Sequence, residues 1–147
     1  MRTGIREEER VDRGITTTYI ERSKGASITE GIGIEHITQN IKRAKIEGAM
    51  MVEDIECVEM AYYLKTYDGI SVGPSAAMNV VAAVKLAQKL GPGHTIVTIL
   101  CDTGDRYLEK LYSSKWTIER NLVPEKYKKG RESYTDFVKP IDQTNFT

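Results

Sequence analysis

Apolar positions recur with a helical period in two stretches of this chain and run unbroken in a third. From Asp54 to Tyr67, Ile55, Val58, Tyr62 and Leu64 return at roughly helical spacing. Glu53, Asp54 and Glu56 sit in the first turn, where the helix dipole favours acid. Cys57 lies inside this stretch and is expected to pack as a small apolar residue. From Ala76 to Leu90 the only polar residues are Asn79, Lys85, Gln88 and Lys89, which predicts a helix buried on most of its faces. Gly91-Pro92-Gly93 stops it. "HTIVTILC" (His94 to Cys101) is a continuous apolar, β-branched run, as expected for a central strand covered on both faces. "DGISV" before the second helix reads as a turn and a short strand. Strand, helix and strand then follow within about 35 residues, a βαβ unit whose connection should be right-handed.

The remaining pattern is weaker. "AMMVE" predicts a brief buried strand, and "ITQNIKRAKIEG" a short helix ended by Gly48. "ITEGIGIEHI" suggests a short extended segment or turn, with backbone approaching another group at Gly31 and Gly33. Residues 1–27 hold both charge signs without a period and read as mostly loose. The stretch after about Asn121, with "EKYKKGRESY", reads as a polar tail. There is no internal repeat and no low-complexity segment.

Composition narrows the function classes. The chain has 147 residues, 40% apolar and 29% charged, the balance of a soluble globular domain with a real core. Lys plus Arg (21) equals Asp plus Glu (21), so no overall field favours nucleic acid or an anionic membrane. Cys57 and Cys101 lie far apart and fit neither a metal cluster nor a disulfide framework. His36 and His94 have no partner at metal-ligand spacing, so no metal is expected. No apolar run reaches a membrane span, and "MRTGIREEERVDRG" lacks a secretory core and is acidic for a mitochondrial presequence. A cytoplasmic location is expected, with mitochondria the alternative.

Two loops carry the candidate chemistry. In an open parallel sheet, ligands sit beyond the carboxyl ends of the strands. Gly73-Pro74-Ser75 follows the first strand of the βαβ unit, and Cys101-Asp102-Thr103-Gly104 follows the second, so both should share one edge. Ser75 is then either an ordinary helix cap or a hydroxyl facing a ligand at a helix N-terminus. "DTG" is also the triplet of aspartic proteases, but those need two copies in an all-β frame, and this helix-rich chain has one. The tyrosines among the basic residues of "EKYKKGRESY" are an RNA-contact signal, which the zero net charge disfavours.

These motifs, in this order, resemble the carboxyl-terminal part of cysteine synthases, pyridoxal-phosphate enzymes related to cystathionine β-synthase and the tryptophan synthase β chain. The resemblance covers roughly residues 28–120, with "ITEGIGIEHI" and "VGPSAAMNVVAAVKLAQKLGPGHTIVTILCDTGDRY" as its motifs. It implies an α/β fold, three-layer αβα with a mostly parallel sheet. It implies that Ser75 hydrogen-bonds the pyridine nitrogen of pyridoxal 5'-phosphate. A neutral serine leaves that nitrogen unprotonated, a weaker electron sink suited to eliminating a β-substituent. Gly31, Ile32 and Gly33 match a segment lining the active-site mouth, and Asp102 and Thr103 match the loop beside the cofactor ring. The sequence departs from the family pattern at Pro74 and at Ala77, where the family usually has Gly. Ala77 is therefore expected to crowd the backbone approach to the ring.

The family also uses a lysine that holds the cofactor covalently, an Asn-Thr-Gly substrate loop and a Gly-Thr-Gly-Gly-Thr phosphate loop, all upstream of "ITEGIG". None is found among the 27 residues before Ile28. The organisation expected is an unmatched segment 1–27, a partial synthase-like domain 28–120 and a polar tail 121–147. The family reaction makes cysteine from O-acetylserine and sulfide, and this chain is expected to be inactive alone. The alternatives are half of a split enzyme and a non-catalytic regulatory module that docks on a complete synthase. A homodimer or association with such a synthase is the partner expectation.

Overall fold

A computed structural model describes residues 7–12, 15–20, 27–30, 32 and 37–141. The chain divides into two compact units, Met1–Ser27 with Gly31–Glu47, and Ile28–Glu30 with Gly48–Thr147.

In the first unit, β1 (Glu7–Asp12) and β2 (Ile15–Ile20) pair antiparallel, in register from Glu7 opposite Ile20 to Asp12 opposite Ile15. Part of the segment read as loose therefore holds a ladder. "ITTTYI" is β-branched and aromatic, a composition that favours strands even without alternation. A short helix α1 (Gln39–Arg43) is capped by Thr38, whose Oγ1 accepts from the Ile41 N–H at 3.3 Å. It ends at Ala44, before the expected stop at Gly48.

The second unit is built on two helices. α2 (Asp54–Tyr63) runs on into a π-helical turn, Leu64–Asp68, so together they fill the predicted 54–67 stretch. Gly69, at φ 69°, takes the left-handed conformation that ends it. α3 (Pro74–Leu90) begins two residues before the predicted Ala76 and ends at Gly91, φ 77°. α2 packs against α3, burying Cys57, Val58 and Ala61 with Ala76, Ala77 and Val81 in one apolar core. Burial on α3 is confined to one side, because Met78 to Val80 and Ala82 to Val84 are only half-buried and Ala87 to Leu90 are exposed.

Three charged side chains are buried in this core. Glu56 accepts from Lys85 Nζ at 2.8 Å, from the Glu53 N–H at 2.9 Å and from the Lys139 N–H at 2.8 Å. Lys85 also donates to the Met51 carbonyl at 3.0 Å. Glu59 accepts three backbone N–H bonds, from Glu125, Lys126 and Tyr127. Every buried charge is thus met by several donors or acceptors, as burial demands.

These backbone N–H to carboxylate links anchor what read as a polar tail. Residues 121–141 fold as short turns, Lys126–Lys129 and Arg131–Ser133, and a helical turn α5 (Tyr134–Phe137), with Phe137 and Val138 buried in the core. Tyr62 packs between Tyr112 and Tyr127, ring centroids 5.4 and 5.3 Å away. Turns of three or four residues have no period for a sequence to display, which is why this stretch looked unstructured.

The sheet is where expectation and structure part. "AMMVE" forms no strand, and Met51 is 71% exposed. The run His94–Cys101 is neither helix nor paired strand. Between the two stretches flanking α3 there is one antiparallel bridge, Val72 with Thr103, and no parallel ladder occurs among the described residues. No helix among them is long and apolar enough to cross a membrane.

Candidate functional site

The start of α3 is built by a crossing of two chain segments. The Gly73 N–H donates to the Asp102 carbonyl at 3.1 Å, and the Gly104 N–H donates to the Ser71 carbonyl at 3.1 Å. Tyr112 clamps the crossing from the side. Its hydroxyl donates to the Val72 carbonyl at 2.8 Å and accepts from the Val72 N–H at 3.1 Å. Both glycines are required by closeness. A Cβ on Gly73 would lie 2.1 Å from Asp102 Oδ1 and 2.6 Å from the Tyr107 ring, and one on Gly104 would lie 2.1 Å from Ser71 Oγ. The two loops expected to share an edge do meet, although through an antiparallel bridge.

Gly73, in extended conformation, is the N-cap of α3, and Pro74 fills the first helical position, where a missing N–H costs nothing. Ser75 is therefore the second residue of the helix and not its cap. Its side chain is half-buried and makes no hydrogen bond among the described residues. The hydroxyl thus remains beside the positive end of a 17-residue helix, free to donate or accept.

Asp102 lies across from Gly73 in the crossing. Its Oδ2 accepts from the Tyr107 hydroxyl at 2.6 Å, while Oδ1 is buried without a hydrogen-bond partner. That bond to the carboxylate, reinforced by burial, raises the Tyr107 phenol above its ordinary value. Asn79, one turn along α3, donates to the Ile99 carbonyl at 2.9 Å and to Cys101 Sγ at 3.4 Å. Tyr107, Tyr112 and Asn79 were not singled out from sequence. A tyrosine six residues after Cys101 and an asparagine inside an apolar helix were the signals on offer.

Of the other expected site residues, Thr103 belongs to this crossing and Ile32 does not. Thr103 forms the bridge and is exposed. Ile32 belongs to the other unit and is exposed, while Gly31 and Gly33 lie outside the described residues. Ala77, expected to crowd a cofactor ring, is fully buried in the core with α2. A separate hollow of about 200 Å³ is lined by Met50, Met51, Glu53, Lys85, Lys139 and Ile141, among others. Its buried Lys85 is held by Glu56 and the Met51 carbonyl.

For pyridoxal 5'-phosphate, these residues fit one edge of the group. The free Ser75 hydroxyl suits a ring nitrogen, and no glycine-rich phosphate cradle appears among the described residues.

No protein-family model matches the chain. It is 47% identical over 103 residues to a cysteine synthase of Dictyostelium discoideum, covering 70% of this chain and 27% of that protein. It is 50% identical over 101 residues to cysteine synthase 2 of Schizosaccharomyces pombe, covering 67% and 26%. With cysteine synthase 1 of Neurospora crassa the identity is 46% over 106 residues, covering 71% and 28%. The chain spans about a quarter of the length of the curated relatives it matches, in their carboxyl-terminal part. Over that matched stretch, about 70% of its length, the chain belongs to the cysteine synthase family.

Proposed function

We propose that residues 28–120 are the carboxyl-terminal portion of a pyridoxal-phosphate-dependent cysteine synthase fold, in which Ser75 binds the pyridine nitrogen of the cofactor. In this reading the complete fold is α/β, with three αβα layers around a mostly parallel sheet. The family reaction is the formation of cysteine from O-acetylserine and sulfide. When bound, the cofactor supplies the electron sink for losing the β-substituent.

One observation carries the proposal, namely that the Ser75 hydroxyl is not consumed as a cap. Gly73 and Pro74 start the helix without it, leaving a neutral donor at a dipole-favoured position. The crossing of Gly73 with Asp102 fixes the backbone on which Ser75 stands. Ser75 donates to an unprotonated ring nitrogen and orients the ring. Asp102 and Thr103 border it from the facing loop. The lysine and the phosphate loop belong to the part of the family fold that the match does not span. The chain works together with that part and is inactive without it.

Pyridoxal 5'-phosphate titration of the purified chain, followed by visible circular dichroism, tests this. An induced signal that Ser75→Ala abolishes is expected. A folded Ser75→Ala chain, verified in the far ultraviolet, that keeps the parent's induced signal refutes the assignment of Ser75.

A further inference from the structure

The hollow of about 200 Å³ beside Lys85 lies within the second unit and shares no residue with the crossing at Ser75. Met50, Met51, Pro140 and Ile141 form its apolar wall, and Lys85, Glu53 and Lys139 supply polar atoms. Its size is below the roughly 300–1,000 Å³ of drug-sized pockets, so it takes a fragment of fewer than about ten heavy atoms. Methionine side chains are unbranched and adaptable, which suits a wall that closes around a small apolar body.

What the hollow can recognise depends on the hydrogen-bonding capacity its neighbours leave unused. The Lys85 side chain is 6% exposed, and its ammonium carries three donors. One goes to Glu56 at 2.8 Å and one to the Met51 carbonyl at 3.0 Å, and the third meets no partner among the described residues. Both oxygens of Glu56 are taken, by Lys85 and by the backbone N–H groups of Glu53 and Lys139. At the rim, Glu53 pairs with Lys139 Nζ at 2.6 Å, the two side chains being 46% and 56% exposed. An exposed pair of this kind holds its partners weakly, so the Glu53 carboxylate stays open to a further donor. The hollow therefore offers a buried donor, an acceptor at the rim and an apolar wall.

We propose that this hollow is a binding site for a small neutral carboxamide bearing a short branched alkyl group. Charge selects the class. Lys85 and Lys139 are balanced by Glu56 and Glu53, so the site has no net charge with which to attract an ion. A carboxylate answers Lys85 but meets Glu53 as a like charge, and an ammonium does the reverse. A neutral amide answers both, its carbonyl accepting from Lys85 and its N–H donating to Glu53. Water serves the same polar atoms but leaves the apolar wall of Met50, Met51 and Ile141 unmatched, and the alkyl group covers that wall.

The probe is isovaleramide, with isovalerate and isopentylamine as charged molecules of matched shape. Each is titrated into the full chain labelled with carbon-13 at its methionine methyl groups. The Met50 and Met51 signals should move and saturate with a Kd in the range of about 0.1–10 mM, which a ligand of about seven heavy atoms allows. Met60, buried in the core, should stay still. Both charged probes should bind at least about tenfold more weakly. Lys85→Met strips Glu56 of its cation and is expected to weaken the core. The blocking variant is therefore Ala49→Trp, at an exposed position lining the hollow, which should abolish the shifts at an unchanged urea midpoint. Either charged probe binding as tightly as the amide overturns the neutral class. No saturable shift with isovaleramide, shifts that reach Met60 equally, or binding that persists in Ala49→Trp overturns the site.

Discussion

Glu59 is a single side chain whose removal should release residues 125–127 from α2. Its buried carboxylate accepts from the Glu125 and Lys126 N–H groups through Oε1, at 2.8 and 2.9 Å, and from the Tyr127 N–H through Oε2 at 2.9 Å. A hydrogen bond to a charged group contributes more than a neutral one, and part of that gain offsets desolvating the charge. Taking about 1–1.5 kcal/mol net for each, Glu59→Ala should cost on the order of 3–4 kcal/mol. That is a large share of a total stability of roughly 5–15 kcal/mol. Glu59→Gln separates the three bonds. With its amide oxygen placed where Oε1 lies, glutamine keeps the first two acceptances and turns an N–H toward Tyr127. A loss of about 1–2 kcal/mol is expected, with Tyr127 losing most protection. Amide exchange reads this directly. Residues 125–127 should exchange roughly 100- to 1,000-fold faster in Glu59→Ala, at tenfold per 1.4 kcal/mol. Urea unfolding followed through Trp116 gives the global value. If Glu59→Ala exchanges like the parent at 125–127 and unfolds within about 0.5 kcal/mol of it, the clamp is not what holds this stretch.

Three further outcomes follow from the same geometry. Burial first, then the charges of Asp54 and Glu56, pushes the Cys57 thiol up to about 12, whereas Cys101 is exposed. A thiol-disulfide reagent at about pH 8 should label Cys101 alone in the native chain and both cysteines in denaturant, and rapid native labelling of both would contradict the buried position. Gly73→Ala should break the crossing, because the new methyl meets Asp102 Oδ1 and the Tyr107 ring, and a loss of about 1–3 kcal/mol in urea is expected. A parent-like Gly73→Ala protein would mean the loops are not pinned together. The Tyr107 phenol is raised from 10.0, so the stability it adds through Asp102 is complete below that pH and lost as pH rises through its folded value. The stability difference between the parent and Tyr107→Phe should therefore be flat up to about pH 10 and shrink above it, and a difference that grows instead would reverse the assignment.

The two long helices were legible because their apolar spacing is a local property that packing preserved. Gly91 as the stop of α3 was legible for the same reason. The meeting of Gly73 with Asp102 followed from topology, although the antiparallel bridge did not. What the sequence hid is mostly polar. Glu56 read as an acid complementing a helix dipole, Lys85 as one of four polar residues in an apolar helix, and Glu59 was not singled out. The burial of Glu56 and Glu59 depends on backbone donors more than 60 residues away, at Glu125 to Tyr127 and Lys139, and that of Lys85 on acceptors at Glu56 and Met51, 29 and 34 residues away. No spacing rule reports such partners. "AMMVE" failed for a different reason, since a short apolar run does not distinguish a strand from a partly exposed loop. Ser75 stood between two readings, and the capping one ended when Gly73 and Pro74 were found to begin the helix.

These hidden charges explain how the second unit can be ordered with no sheet among its described residues. Glu56 and Glu59 lie three residues apart, on one face of α2, and that face takes the carboxyl-terminal stretch. Cys57, Val58 and Ala61 belong to the core that α2 shares with α3. α2 is therefore held by α3 through apolar contact and the Glu56–Lys85 pair, and by the carboxyl-terminal stretch through apolar contact and hydrogen-bonded carboxylates. None of these contacts draws on residues 94–100, whose direct tie to the helices is Asn79. The helical core can thus fix the start of α3, and with it Ser75, while the apolar run stays open. That division has a consequence for a Val97→Lys, Ile99→Lys double variant, both positions being exposed. If the run contributed to the core, the two lysines would lower the urea midpoint of the isolated chain. Because it does not, the midpoint should be unchanged.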